Sequence, residues 1–156
     1  VEKISISSSA IKKPVLIDEI ASLAGSQSVV VTIDVKKKFL KGYKIFTSNG
    51  TIQHDIDLLD YLKIAQDYGA GEIVINNIDR DGTMKGYDLD LLDYIKNSIN
   101  IPLTFLGGCG SAKDISELTK SHYPIGAGVG SLFVFKGKYK AVLINYPSKN
   151  EIKNIL

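Results

Sequence analysis

An α/β fold with a parallel sheet is what the sequence predicts, and three observations carry that prediction. Short apolar, β-branched runs begin near Ile4, Val29, Ile73, Leu103 and Ile125, each too brief to be a helix. Between them lie amphipathic stretches with helical spacing. Every run passes into polar or glycine-rich residues: Ser7-Ser8, Asp34, Asn77 with Asp79, Gly107-Gly108, and Gly130-Ser131. Strand, helix, strand alternation of this kind demands right-handed crossovers, which lay the strands parallel.

Taken in order, Val1 to Ser9 alternates Ile4 and Ile6 with small polar residues, the mark of a strand. Pro14 opens an amphipathic helix, Val15 to Leu23, that Gly25 closes. The second strand, Ser28 to Val35, ends on Asp34. An insert from Lys36 to Gln53 follows, in which Tyr43-Lys44-Ile45-Phe46-Thr47 meets Thr51-Ile52 across Asn49-Gly50, a hairpin turn. The run Lys36-Lys37-Lys38 reads as a solvated loop. Leu58, Leu59, Leu62 and Ala65 then line one face of a helix from about Asp57 to Tyr68, stopped by Gly69. After the third strand, Ile73 to Ile75, Asp88 caps a helix with Leu89, Leu92 and Ile95 inward. The fourth strand, Ile101 to Leu106, runs into Gly107-Gly108-Cys109-Gly110-Ser111, and Ser111 with Asp114 makes a capping box for a helix to about Ser121. A fifth strand is centred on Ile125 to Val129. Beyond it the tail is apolar and aromatic, and Ser148 with Glu151 suggests a last short helix.

Composition narrows the function classes. With 156 residues, 44% of them hydrophobic, and a net charge of +2, the chain can bury one sizeable core and carries no basic excess that implies nucleic acid. Its longest apolar runs fall far short of a membrane span, so no membrane association is expected, and no signal-peptide pattern opens it. A single cysteine, Cys109, rules out an internal disulfide and fits a reducing cytoplasm. Val1 in place of Met, close to a strand start, suggests a cut end or a missing N-terminal part. No metal site and no cofactor is expected.

Two architectures fit five such units: an open doubly wound sheet, or strands four to eight of a (βα)8 barrel with a β-hairpin insert after strand five. The barrel is favoured because an active face assembled from many polar strand tips is a barrel feature, as is a phosphate site after the last two strands. Residues 1-156 are then the C-terminal part of a single barrel domain. Gly82, flanked by Asp81 and Thr83, lets a loop backbone approach an anion.

Several stretches also carry a family resemblance: Glu2 to Ser8, Val29 to Lys36, Glu72 to Asp88 with Asp79-Arg80-Asp81-Gly82-Thr83-Met84-Lys85-Gly86-Tyr87-Asp88, and Gly107 to Ser111. Together they resemble the cyclase subunit of imidazole glycerol phosphate synthase, the HisF type, over nearly all of this chain but only the later five-eighths or so of the family's barrel. Asp-Arg-Asp-Gly-Thr is shared with the sister phosphosugar isomerase of histidine biosynthesis, whereas Gly86-Tyr87-Asp88 and Asp34-Val35-Lys36 favour the cyclase.

The resemblance implies a subunit that takes ammonia from a glutaminase partner and closes an imidazole ring on a ribonucleotide bearing two phosphates, a phosphorylated small-molecule substrate. Asp34 matches one of the family's two acid-base carboxylates, and the other, on the first strand, lies outside this chain. Gly82, Gly108 and Ser131, with Asp81, Gly107 and Gly130 beside them, match one phosphate site. Ser7 and Ser8 fall where the family binds the other phosphate, and Ser7 departs from the usual amide. Leu106 departs from a usual serine. Glu2, Lys3 and Glu72 match a charged ring at the ammonia entrance, facing the glutaminase. Cys109 reads as structural, and His54 and His122 match nothing catalytic. The tail, Gly130 to Pro147, is similar to cyclase paralogues associated with glycosyl amidation in surface-polysaccharide or flagellar-sugar clusters. That tilts the expected pathway from histidine biosynthesis toward sugar amidation. A contrasting reading is a non-catalytic phosphate-binding half-barrel or fragment whose bare edge strands pair with another copy.

Overall fold

The computed structural model describes residues 2–122, 124–137, 139, 141–144, 146–148, 150 and 152. Its elements run β1 (Ile4–Ile6), α1 (Ser8–Lys12), α2 (Val15–Ala24), β2 (Val29–Lys38), β3 (Gly42–Thr47), β4 (Ile52–Asp57), α3 (Leu58–Asp67), β5 (Glu72–Asn77), α4 (Leu89–Ile95), β6 (Leu103–Leu106), α5 (Ala112–Ser121), β7 (Gly126–Ala127) and α6 (Ser131–Val134). Two short strands, β8 (Phe135–Lys136) and β9 (Ala141–Val142), close the tail as an antiparallel pair.

The order of the parallel strands decides between the two architectures. β1 lies beside β2, β2 beside β5, β5 beside β6 and β6 beside β7, every pair parallel. Each new strand therefore adds on the same side of the last, with no reversal of the kind that creates a doubly wound sheet. Right-handed crossovers advancing one way place all helices on one face, and a single buried cluster joins Ile17, Leu62, Leu92, Ile95 and Leu118 to Val31, Ile33, Ile75 and Phe105. The result is a five-stranded arc of the (βα)8 type with an apolar convex face packed against the helices and a concave face that mixes polar with apolar groups.

Local chemistry sets the boundaries. Asp57 accepts the Leu59 N–H at 2.8 Å to start α3, Asp88 accepts that of Leu91 at 3.3 Å to start α4, and Ser111 with Asp114 forms a reciprocal capping box on α5. The expected helix from Ser148 and Glu151 rests on a residue outside those described. Two expectations need correction. α1 follows β1 directly, because Ser7 O accepts the N–H groups of Ala10 and Ile11. Lys36-Lys37-Lys38 is not loop but the end of β2, whose last five residues pair with β3 from Asp34↔Phe46 to Lys38↔Gly42 and so keep their backbone hydrogen-bonded. At the far end of the hairpin, Ser48, Asn49 and Gly50 all have positive φ and turn the chain into β4.

One buried group lacks a partner. Tyr61 is fully buried in the helix layer, and its hydroxyl finds no hydrogen-bond partner among the described residues. Burial alone pushes the phenol far above its ordinary pKa. A buried donor left unmade is destabilising, so Tyr61→Phe is expected to raise the unfolding free energy by about 1 kcal/mol in urea denaturation. A loss of stability instead would show that the hydroxyl is satisfied.

Candidate functional site

Side chains alternate between the two faces of each strand, so register fixes what the concave face displays. Its residues on β2 are Val30, Thr32 and Asp34, aligned with Glu72, Val74 and Asn76 on β5, and then Thr104 and Leu106 on β6. Asp34 thus meets Asn76, whose Nδ2 donates to Asp34 Oδ1 at 2.8 Å. An amide that donates to a carboxylate holds it in one orientation and leaves the other oxygen to a substrate. Asn76 was missed in the sequence reading. Its signal was available, because two-residue alternation from Ile73 and Ile75 puts Asn77, not Asn76, on the helix side.

Asn77, expected on the polar rim, is 1% exposed and points into the convex layer, donating to Asp88 Oδ2 at 2.8 Å. Asp88 also accepts from Tyr43 Oη at 3.3 Å, so one buried carboxylate ties the hairpin, β5 and α4 together. Asp79 is likewise structural, accepting the Lys37 N–H at 3.0 Å.

Beside Asn76 opens a cavity of about 220 Å³ lined by the loops after β5, β6 and β7. It brings together Asp81, Gly82, Gly107, Gly108, Gly130 and Ser131, residues scattered over fifty positions of sequence. Among the described residues, the N–H groups of Gly82, Gly108 and Ser131 take part in no turn or loop hydrogen bond. Free amides around a concavity are what an oxyanion needs.

The three loops are held by direct links. Gly86 N–H donates to Gly108 O at 2.8 Å, and Tyr87 Oη donates to Gly128 O at 2.8 Å. Arg80 Nη1 donates to the carbonyls of Gly86 and Tyr87, each at 3.1 Å, so the guanidinium braces its own loop. The Asp114 carboxylate accepts the N–H groups of Gly110 and Ser111. Gly108 has φ +104°, and a Cβ there would lie 2.1 Å from Gly86 O, so only glycine permits this approach. Leu106 fills the space over Gly128 and walls one side of the cavity. Cys109 also lines it, but burial pushes its thiol up, which suits a structural role.

Ser7 follows β1 and Ser8 opens α1, at the same strand end, without lining this cavity. At the opposite strand end, Lys3 pairs with Glu72, and Thr104 Oγ1 donates to Glu72 Oε1 at 2.7 Å. Burial raises the Glu72 pKa, but Lys3 and Thr104 outweigh it and hold the carboxyl below its ordinary value. Glu2 is exposed close by in sequence. A cleft of about 650 Å³ opens at this end, with Glu72, Thr104, His122 and Gly126 among its walls. His54 binds Thr47 Oγ1 at 2.9 Å on the hairpin. Neither histidine lines the glycine-walled cavity. Among the described residues no His, Cys, Asp and Glu group could hold a metal, and no helix is long and apolar enough to cross a membrane.

Residues 1–140 match the histidine biosynthesis protein family. The whole chain is 50% identical to a Vibrio vulnificus protein provisionally named imidazole glycerol phosphate synthase subunit hisF3, covering 60% of it. Over 97% of its length it is 49% identical to a Leptospira interrogans protein provisionally named imidazole glycerol phosphate synthase subunit HisF, again covering 60%. It is 40% identical over 95% of its length to imidazole glycerol phosphate synthase subunit HisF of Clostridium botulinum (strain 657 / Type Ba4), covering 59%. The chain spans about 60% of the length of the curated relatives it matches.

The geometry separates two glycine roles. Gly108→Ala is expected to cost about 3 kcal/mol or more, because Cβ strikes a backbone carbonyl at unfavourable φ. Gly82→Ala, at φ +71° with nothing within 4 Å of the added carbon, is expected to cost only about 1 kcal/mol. Urea unfolding checks both, and equal costs would mean the loops are not clamped together.

Proposed function

This chain belongs to the histidine biosynthesis protein family, and on that premise we propose that it forms the later part, strands four to eight, of a single-domain HisF-type cyclase. The whole protein is proposed to act in the cytoplasm as the ammonia-using subunit of a glutamine amidotransferase complex, on a phosphorylated ribonucleotide or sugar. The observation that carries this reading is contiguity: Asp34 is hydrogen-bonded to Asn76, and Asn76 lines the glycine-walled cavity.

The cavity binds a phosphate through the amides of Gly82, Gly108 and Ser131, with Gly107 and Gly130 giving the backbone room to approach. Asp81 repels an anion, so it accepts a hydrogen bond from a substrate hydroxyl. Ser7 and Ser8 offer hydroxyls to a second phosphate. A substrate so fixed presents its reacting atoms over Asp34, which accepts and returns protons as ammonia adds and the ring closes. Ammonia comes from a glutaminase partner docked at the opposite strand ends, where Glu2, Lys3 and Glu72 stand. From Glu72 to Asn76 along β5 is a path of roughly 13 Å at strand rise.

The tail, Gly130 to Pro147, favours sugar amidation for surface glycans as the pathway over histidine biosynthesis. A further reading, a non-catalytic phosphate-binding half-barrel, draws on the edges of β1 and β7, which have no strand beyond them among the described residues.

In the full-length protein with its glutaminase, Asp34→Asn is expected to lower ammonia-dependent turnover by about 10²-fold or more while leaving phosphate affinity unchanged. Unchanged turnover would remove Asp34 from the chemistry. The 156-residue chain alone is expected to show no turnover, and the full-length protein is expected not to rescue a histidine-requiring strain. Turnover by the chain alone would show that strands four to eight suffice for the chemistry, and rescue would assign the histidine pathway.

A further inference from the structure

The hairpin ends in a tip that the glycine-walled cavity does not use. β1 flanks β2 only as far as Val31 and β5 only as far as Val35, whereas β3 continues beside it to Lys38, opposite Gly42. The last turn is therefore a two-stranded ribbon standing clear of the sheet. From Asp34 to Lys38 it rises roughly 14 Å at strand spacing. Its apex is Phe39-Leu40, 90% and 91% exposed, closed by the Lys41 N–H donating to Lys38 O at 3.1 Å. A single apolar side chain in water is ordinary. Here two are adjacent at the outermost point, and Leu40 has φ +61°, a left-handed conformation that glycine or asparagine takes with less strain. Strain and exposure both disfavour leucine at this turn, and so exposed a side chain has almost no packing within the chain to offset them.

Charge is ordered about this apex. Lys36 and Lys38 lie on one face of the ribbon, their ammonium groups 4.9 and 5.0 Å from the centre of the Phe46 ring. Lys37 lies on the other face, 5.4 Å from the centre of the Tyr43 ring. Both rings are buried, so the three cations are held at the base of the ribbon, below Phe39 and Leu40. Lys41 adjoins the apex itself. Among the described residues the ion pair on this ribbon is that of Lys37 with the exposed Asp90, at 3.5 Å. From Lys36 to Gln53 the sequence holds no acidic residue.

An apolar apex above a cationic collar matches, in order of depth, an apolar interior beneath an anionic surface. A protein partner would need an apolar socket with an acidic rim to receive the same convex tip, whereas an anionic bilayer offers that sequence anywhere on its surface. We propose that Phe39 and Leu40 insert into the interfacial region of an anionic lipid bilayer while Lys36, Lys37, Lys38 and Lys41 engage its headgroups. The protein is thereby docked peripherally, with its strand-tip rim turned toward the membrane. The expectation of no membrane association rests on the length of apolar runs, which governs spanning and leaves a surface contact open. The proposal stands apart from the phosphate reading of the glycine-walled cavity.

Flotation of the full-length protein with vesicles tests the proposal, using phosphatidylcholine alone and an equal mixture of phosphatidylcholine with phosphatidylglycerol. Binding to the mixed vesicles is expected to be about tenfold or more tighter than to the neutral ones, and to weaken as salt is raised. The double variants Phe39→Ser/Leu40→Ser and Lys38→Gln/Lys41→Gln are each expected to lose about tenfold or more of that binding. All four side chains are exposed, so these changes leave the core untouched. Insertion itself is read from Phe39→Trp, whose added fluorescence over the unsubstituted protein is expected to shift to the blue on mixed vesicles and to be quenched by lipids brominated on their acyl chains. Undiminished binding by Phe39→Ser/Leu40→Ser, or no quenching, would reduce the contact to electrostatic adhesion and overturn insertion. Equal binding to both vesicle types, or undiminished binding by Lys38→Gln/Lys41→Gln, overturns the cationic collar. Binding to neither vesicle overturns the membrane as occupant and leaves a protein socket in its place.

Discussion

The Gly86 N–H to Gly108 O hydrogen bond is the contact on which the rest of the rim depends. It brings the loop after β5 within van der Waals reach of the loop after β6, at a distance that excludes any Cβ on residue 108. With Tyr87 holding Gly128 from the same loop, three chain segments that have no strand ladder between them become one wall. The amides of Gly82, Gly108 and Ser131, which make no turn or loop hydrogen bond among the described residues, then lie around one cavity, and unpaired amides cost little at a solvated rim. Arg80 reinforces this from behind, its charge turned onto carbonyls of its own loop.

The sheet works by dividing its two faces. Apolar β-branched residues on the convex side dock the helices in one core, so strand positions are rigid. The concave side carries, beside Val30, Val74 and Leu106, Ser5 and Thr32, which share a hydrogen bond of 3.0 Å, and the Asp34–Asn76 and Glu72–Thr104 pairs. Polar pairs on that face satisfy one another while pointing away from the core. The buried Asp88 fixes the same frame from the convex side, joining Tyr43 of the hairpin to Asn77 of β5. The hairpin is thereby a fixed wall of the rim.

Much of this could be read from residues alone, for identifiable reasons. Local rules found what local chemistry determines: Asp57, Asp88 and the Ser111–Asp114 box mark helix starts because a side chain accepts an N–H two or three residues on. Polar strand tips named Asp34, Gly82, Gly108 and Ser131, and a parallel fold carries all such tips to one end. Pairing between distant segments was not legible. The extension of β2 through Lys38 depends on β3, and the meeting of Asn76 with Asp34 depends on the register of β5 against β2. Tyr87 looked like part of a family motif, yet its partner, Gly128, lies forty-one residues away. The short α1 also escaped, because its backbone begins on Ser7 with no side-chain cap to announce it.

The proposed phosphate site requires the three loops to act as one cradle continuous with the Asp34–Asn76 pair. Amide NMR of the ¹⁵N-labelled protein, titrated with inorganic phosphate, tests it most directly. The N–H signals of Gly82, Gly108 and Ser131 are expected to shift along one common saturation curve, with the Asn76 side-chain amide following them. Shifts that fit separate curves, or that spare any one of the three loops, would contradict it.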